Sequence, residues 1–375
     1  MNPIINNIKT DDDKLSFDIT NVNVSFVNAI RRILLSEIKT PVFKTFPYHE
    51  SNCNVISNTS RFNNEIIKQR LSCIPIHIND ETINVNNLVV KLKIQNTGSN
   101  ILYVTTEHFK IFDEATNNFL SPEITQQIFP KNKTTNDYIL FLKLQPPFIM
   151  NSAVKTNGEE IHLECRMSMD NAKTNSMFNV VSLATFGNIK QPKEILIGHY
   201  EKFKNNLLKT ESYNDDELEL IQRDWYALNA QKYYIPDSFH FQVKTIGVFE
   251  NKHLLHKSIN ILITKFKNML EQTEVLLYEV VKNETFAEHS FNIILKNEDY
   301  TIGKIIEFII FTKFVEHDKK CNFVSFKKSH PHDTDSLIIL SYVESTEIPD
   351  ILTDLNIIFN DSIKILETIL SQIPI

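Results

Sequence analysis

Few residues of this chain combine in type and spacing to do chemistry. Glu298-Asp299 are adjacent carboxylates ahead of a helical stretch, where one could act as general acid and the other as base. No nucleophile or metal ligand is spaced to work with them, and carboxylates at a helix start also answer its positive end. His253 and His256 stand three apart on a helix and could share a metal; solvated or capping histidines are the plainer reading. His330-Pro331-His332 reads as a turn. The four cysteines, Cys53, Cys73, Cys165 and Cys321, lack the close pairing of a structural zinc site. Six glycines in 375 residues, with no two within ten positions, exclude a Walker loop, a dinucleotide fingerprint and a kinase Gly-rich loop. Arg31-Arg32 lie inside an apolar helix, either on an exposed face or with one arginine turned into a polar interface. Glu65 and Arg70 flank a short helix that faces a partner or solvent, and Lys327-Lys328 beside Phe326 is too small a basic cluster to hold nucleic acid alone. The chain reads as a binding or scaffold protein with no catalytic residue, cofactor or metal of its own.

The elements that must carry these residues show a repeat. Ser16-Phe17-Asp18-Ile19 alternates as a half-buried strand and leads into a helix with apolar residues at 26, 27, 30, 33, 34 and 38, capped by Asn23 or Ser25 and ended at Lys39-Thr40-Pro41. Ser290-Phe291-Asn292-Ile293 leads likewise through Asn297-Glu298-Asp299 into a second amphipathic helix. A long helix-like run from Asn251 to about Val281 closes the first region, and one opening at Pro349 closes the second. Between them, alternation over 88–94, 102–104 and 138–144 predicts a β-rich insert bounded near Asp80 and Gly158. Residues 201–224 are charged, helical or exposed. The expected fold is α+β, with domains at 1–80 plus 161–282, 81–160 and 283–375. The start of the chain lacks the pattern of a secretory signal, and no apolar run is long enough to span a membrane, so an intracellular, soluble protein is expected. A formal net charge of -7 argues against a large basic surface.

Phe17-x-Ile19 followed by Val27-Asn28-Ala29-Ile30-Arg31-Arg32-Ile33-Leu34-Leu35-Ser36-Glu37 resembles the signature of the α-like subunits of multisubunit DNA-directed RNA polymerases. The likeness continues through Glu65-Ile66-Ile67 and Gln69-Arg70-Leu71-Ser72-Cys73-Ile74-Pro75-Ile76, and again at Phe239-His240-Phe241-Gln242-Val243 with Gly247. Farther on, Asn297-Glu298-Asp299-Tyr300-Thr301-Ile302-Gly303 is similar to the N-E-D-H-T-L-G signature of the small partner subunit, with Tyr300 in place of His. Phe323-Val324-Ser325-Phe326 and His330-Pro331 resemble its F-x-G-Y-x-x-x-H-P, departing at Ser325 and Phe326.

The resemblance implies a fusion of the third-largest and eleventh polymerase II subunits, or archaeal D and L. The two halves would pack as an intramolecular pseudo-two-fold heterodimer, through Phe26, Ile30, Ile33, Leu34, Leu262, Phe266, Ile305, Phe308, Ile309, Leu355, Phe359 and Leu366. It implies a non-catalytic assembly platform, present as a single copy, docking the second-largest subunit through Arg31, Arg32, Glu65 and Arg70 and also the small tenth- and twelfth-like subunits. The largest subunit would be met indirectly and DNA little. Mg and Zn would belong to other subunits. The fused arrangement resembles that of large cytoplasmic DNA viruses, in keeping with heavy use of Asn and Ile as in AT-rich coding DNA. That source implies the host cytoplasm and the virion; any other implies the nucleus. The alternative is a free-standing nucleic-acid-binding protein on the same fold, and a third reading is a hydrolase using Glu298-Asp299.

Overall fold

The computed structural model describes residues 1–375 except 12, 80–82, 151–153, 156, 211, 272–277, 284–286 and 375. Among the described residues the α-helices, in chain order, are α1 (Val24–Ser36), α2 (Asn64–Ser72), α3 (Pro122–Ile128), α4 (Lys193–Leu207), α5 (Asp215–Leu228), α6 (Asn251–Leu270), α7 (Tyr300–Ile310) and α8 (Ile348–Ser371). The chain divides into two compact units, one of residues 1–33, 183–244 and 255–375, the other of 34–182 and 245–254. The fold is mixed α+β.

The first unit holds two four-stranded sheets. One is ordered Ile4–Asp11, Lys14–Thr20, Tyr234–Thr245, Val181–Lys190; the other Tyr278–Lys282, Ser290–Leu295, Ser336–Tyr342, Cys321–Lys327. Alternation decides which face each strand buries. Leu15, Phe17 and Ile19 are buried while Lys14, Ser16 and Asp18 are not, and they lie opposite Val243, Phe241 and Phe239 in register. Phe17 and Phe241 stack at 5.3 Å. Phe291 and Ile293 likewise oppose Leu340 and Ile338 in the second sheet. The two Ser-Phe-(Asp/Asn)-Ile segments are thus inner strands of separate sheets.

Helices cover these faces. Asn23 Oδ1 accepts from Ser25 N–H at 2.9 Å where α1 begins. Pro349 sits in the first turn of α8, where its missing N–H costs nothing. The rings of Phe266 on α6 and Phe359 on α8 approach to 6.1 Å. Ile369 and Ile373, at the end of α8, line a small enclosed apolar space with Phe17, Ile30 and Ile259. Gln372 fastens that end to the first strand, accepting from Ile5 N–H at 2.9 Å and donating to the Pro3 carbonyl at 2.8 Å.

One expectation is corrected here. The helical run predicted from Asn251 to about Val281 stops at Leu270, and Tyr278–Lys282 is a strand paired with Ser290–Leu295. Its Val280-Val281 step is β-branched and suits a pleated edge better than a helix. Residues 272–277, part of the same run, lie outside the described residues.

The second unit is built on a five-stranded antiparallel sheet ordered Cys53–Asn58, Glu160–Arg166, Leu88–Gln95, Lys110–Asp113, Asn118–Phe119. The expected alternations appear as strands Leu88–Gln95, Leu102–Thr105 and Leu140–Leu144, the last two paired with each other. Glu160–Arg166 lies beyond the boundary read at Gly158 and yet pairs on both sides inside this sheet. Gly158 is there for clearance, since a Cβ would collide with the carbonyl of Asn96. The compact unit that holds this sheet consists of residues 34–182 and 245–254.

A third set of elements interrupts the first sheet between its strands Val181–Lys190 and Tyr234–Thr245. It is the hairpin of α4 and α5, with a core of Leu196, Tyr200, Trp225 and Ala230. These two helices account for the charged stretch 201–224.

Candidate assembly interface

Five of the residues singled out in the sequence, Arg32, Asn297, Glu298, Asp299 and Gly303, meet around the start of α7. Its N-terminus follows a strand that ends at Leu295, so the chain must turn sharply before the helix begins. Asn297 takes that turn at φ 57°, a conformation Asn tolerates better than most side chains. Its N–H donates to Asp335 Oδ1 at 2.9 Å. Asp299 caps α7, its Oδ1 accepting from Thr301 N–H at 2.8 Å.

The other oxygen of Asp299 faces α1. Arg32 Nη2 donates to Asp299 Oδ2 at 2.5 Å and Arg32 Nε donates to Thr301 Oγ1 at 2.8 Å. Burial alone would raise the Asp299 carboxyl. The two hydrogen bonds from Thr301 and the Arg32 guanidinium outweigh it and hold the group below the usual carboxylate range. Glu298 meets a different cation: Lys265 Nζ on α6 donates to its two oxygens at 3.0 and 3.1 Å. Both carboxylates of the would-be acid–base pair are thus engaged by cations, an arrangement suited to joining helices.

Gly303 completes the motif. A Cβ there would run into the Phe326 ring, so only glycine lets the first turns of α7 lie this close to the strand Cys321–Lys327. Tyr300 closes over the same ring edge-on at 5.0 Å. The aromatic at 326, one of the departures from the resembled pattern, fills this contact without a hydroxyl.

Arg31 is held differently from its neighbour. Asn28 Oδ1 accepts from Arg31 Nε at 3.0 Å and from Nη2 at 2.9 Å, one turn along α1. Burial and the adjacent Arg32 charge together lower the Arg31 pKa. Asn28 also lines a groove of about 400 Å³ whose other wall is Lys304, Glu307, Phe308 and Phe311. Of the twelve apolar residues expected at a pairing face, Phe308 is half-buried and the rest are buried.

Glu65 and Arg70 lie in the second unit, on α2. Glu65 is exposed in the first turn. Arg70 turns toward the strand Leu140–Leu144, Nε donating to the Phe141 carbonyl at 2.6 Å and Nη2 to Leu140 at 2.9 Å. His330 and His332 sit in an exposed turn with their rings 5.1 Å apart, and His256 bonds the Ile373 carbonyl at 2.8 Å. Among the described residues no group of three or more His, Cys, Asp or Glu could hold a metal, and no helix is long and apolar enough to cross a membrane.

Sequence reasoning did not find Lys265 or Thr301 as partners. Lys265 is one of two cations, with Lys267, within the apolar spacing of Leu262, Phe266 and Met269, and spacing alone does not separate them. It also missed a buried network near the start of α8. Asp354, only 5% exposed, accepts from Tyr342 Oη at 3.0 Å and from Lys320 Nζ at 2.6 Å.

A family model describing the RNA polymerase Rpb3/Rpb11 dimerisation domain matches residues 16–266. The chain belongs to that family. Its place is among the α-like RNA polymerase subunits. A conjugation stage-specific protein of Tetrahymena thermophila is 24% identical over 301 residues, covering 70% of this chain and 92% of that protein. The human subunit RPAC1 of DNA-directed RNA polymerases I and III is 23% identical over 315 residues, covering 72% of this chain and 84% of the subunit. RPAC1 of cattle is 35% identical over 81 residues, 21% of each chain. The Rpb3/Rpb11 match takes in α1, with Arg31 and Arg32, and the cation Lys265 of α6.

Proposed function

We propose that this chain is a non-catalytic assembly platform of a multisubunit DNA-directed RNA polymerase, in which two α-like halves pair within one polypeptide. The observation that carries this reading is the joint between Arg32 and Asp299-Thr301. It links the arginine of the segment resembling the large α-like subunit to the Asn297-Glu298-Asp299 segment resembling the small one. Lys265 and Glu298 make a second such link. Membership in the Rpb3/Rpb11 family supports the polymerase assignment, and two comparable four-stranded sheets support the pairing.

On this reading the second-largest subunit docks on surfaces that the internal links leave open. Arg32 and Arg70 hold the scaffold in shape. Arg31, Glu65 and the exposed aromatics near α2, Tyr48 and Phe62, make the contact. Small tenth- and twelfth-like subunits are further partners on this reading. The chain needs neither Mg nor Zn of its own. A fused gene fits a large cytoplasmic DNA virus, which would place the protein in host cytoplasm and virion.

Affinity purification of the tagged chain tests the proposal. Large polymerase subunits should dominate the co-eluting proteins, and their absence would end this reading. Tight retention of the isolated chain on DNA or heparin, persisting at high salt, would favour a free-standing nucleic-acid-binding protein instead.

A further inference from the structure

The hairpin of α4 and α5 has more exposed apolar surface than its own core accounts for. Four buried residues, Leu196, Tyr200, Trp225 and Ala230, with Phe203, Tyr226 and Tyr233 half-buried against them, hold two helices of 15 and 14 residues. Cores this small stabilise little by themselves. Helix α5 turns Trp225 inward. One row along the helix carries Asp216, Leu220, Asp224 and Leu228, four residues apart each time and all exposed, winding from the side opposite Trp225 at Asp216 round to its flank at Leu228. Leu220 is 51% and Leu228 70% exposed, high values for large aliphatic side chains.

Four-residue spacing is the spacing of the ridges by which helices pack. This ridge alternates acid and leucine. Asp216 and Asp224 form no ion pair among the described residues, and Asp215, Glu217 and Glu219 add charge of the same sign to the first turns. Acids in a first turn are favoured by the helix dipole, which accounts for residues 215–217. It does not account for Asp224 or for two bare leucines in the same row.

We propose that this ridge of α5 is a docking surface for a basic amphipathic helix of a partner protein, one that sets leucine and lysine or arginine alternately at four-residue spacing. Leucines interdigitate with Leu220 and Leu228, and the cations meet Asp216 and Asp224. Charge complementarity excludes an anionic surface as the occupant. The inference is independent of the polymerase assignment.

The test uses the full chain and a labelled synthetic helical peptide with Leu and Lys in that alternation, followed by fluorescence anisotropy at physiological salt. A peptide of the same composition in scrambled order is the control. The ordered peptide should bind and the scrambled one should not. The paired change Leu220→Ser with Leu228→Ser should weaken binding by about tenfold or more. Trp225, the only tryptophan of the chain, reports on hairpin integrity through its emission. Asp216→Asn with Asp224→Asn, which leaves the apolar ridge intact, should also weaken binding and flatten its salt dependence. Equal binding of the scrambled peptide would overturn the proposal, as would undiminished binding by either paired variant. Self-association of the chain that Leu220→Ser with Leu228→Ser abolishes would assign the ridge to a second copy and also overturn it.

Discussion

The link between Arg32 and Asp299 sets the first expectation at the scale of single residues. The side chains are 35% and 31% exposed, so solvent screens the pair and its contribution is about 1 kcal/mol. Arg32→Glu and Asp299→Arg should each lower the melting temperature, and combining them should restore part of the loss, as a double-mutant cycle would read. The Asp299 carboxyl is held below its unfolded value. Its contribution is therefore complete above about pH 4, the unfolded carboxylate value, and is lost as pH falls through the folded one. Stability of Asp299→Asn should show a shallower fall between neutral pH and pH 3 than that of the parent chain.

Thiol chemistry provides a second check at this scale. Burial and the nearby Asp354 push the Cys321 thiol up to about 12. The adjacent Cys53 thiol and burial keep Cys165 protonated. Cys73 alone of the four is exposed. One thiol should react quickly with a disulfide reagent in the native chain and four after denaturation. Two or more fast thiols in native conditions would contradict this packing.

For the elements, α7 shows how a helix can be fixed by what one position lacks. Gly303→Ala gains about 1 kcal/mol of helix propensity and loses about 1–3 to overlap with Phe326. The substitution should therefore lower the melting temperature alone and become neutral or stabilising in a Phe326→Ala background. Asp354 fixes α8 in a comparable way, from the strand side. Asp354→Ala strands the Tyr342 hydroxyl in a buried site and should cost about 2–3 kcal/mol in chemical denaturation.

These elements also show what a sequence can and cannot reveal. Alternation at Leu15, Phe17 and Ile19, and the spacing of Phe26, Ile30 and Ile33, report burial directly, because each periodicity has one face to hide. Motif residues Asn297 to Gly303 were legible as a unit. Their separate tasks of turn, ion pair, cap and clearance were not, because Asn297 and Gly303 act against neighbours from 319 onward and Glu298 and Asp299 against helices far upstream. The strand Glu160–Arg166 was hidden for a similar reason. Its partners begin more than sixty positions earlier, at Cys53 and Leu88, and a lone alternating heptad after a glycine does not announce them.

At the scale of the whole molecule, the proposed pairing of two halves within one polypeptide would replace a bimolecular step with an internal one, at an effective concentration of roughly millimolar order. The melting temperature of the isolated chain should then be independent of concentration over a wide dilution series. Native mass spectrometry of the assembled complex should find one copy. A melting point that rises with concentration, or two copies per complex, would be incompatible with internal pairing.

The bond between Ile5 and Gln372 joins residues 367 positions apart. A ribosome delivers the first strand of that unit long before the helix that fastens it. Most of the other unit, residues 34–182, by contrast, emerges as one uninterrupted stretch with only 245–254 to follow, and can begin to settle while translation continues. On stalled nascent chains ending before α8, protease should spare 34–182 and cut within 1–33. That strand must therefore wait for α8 before its bond to Gln372 can form.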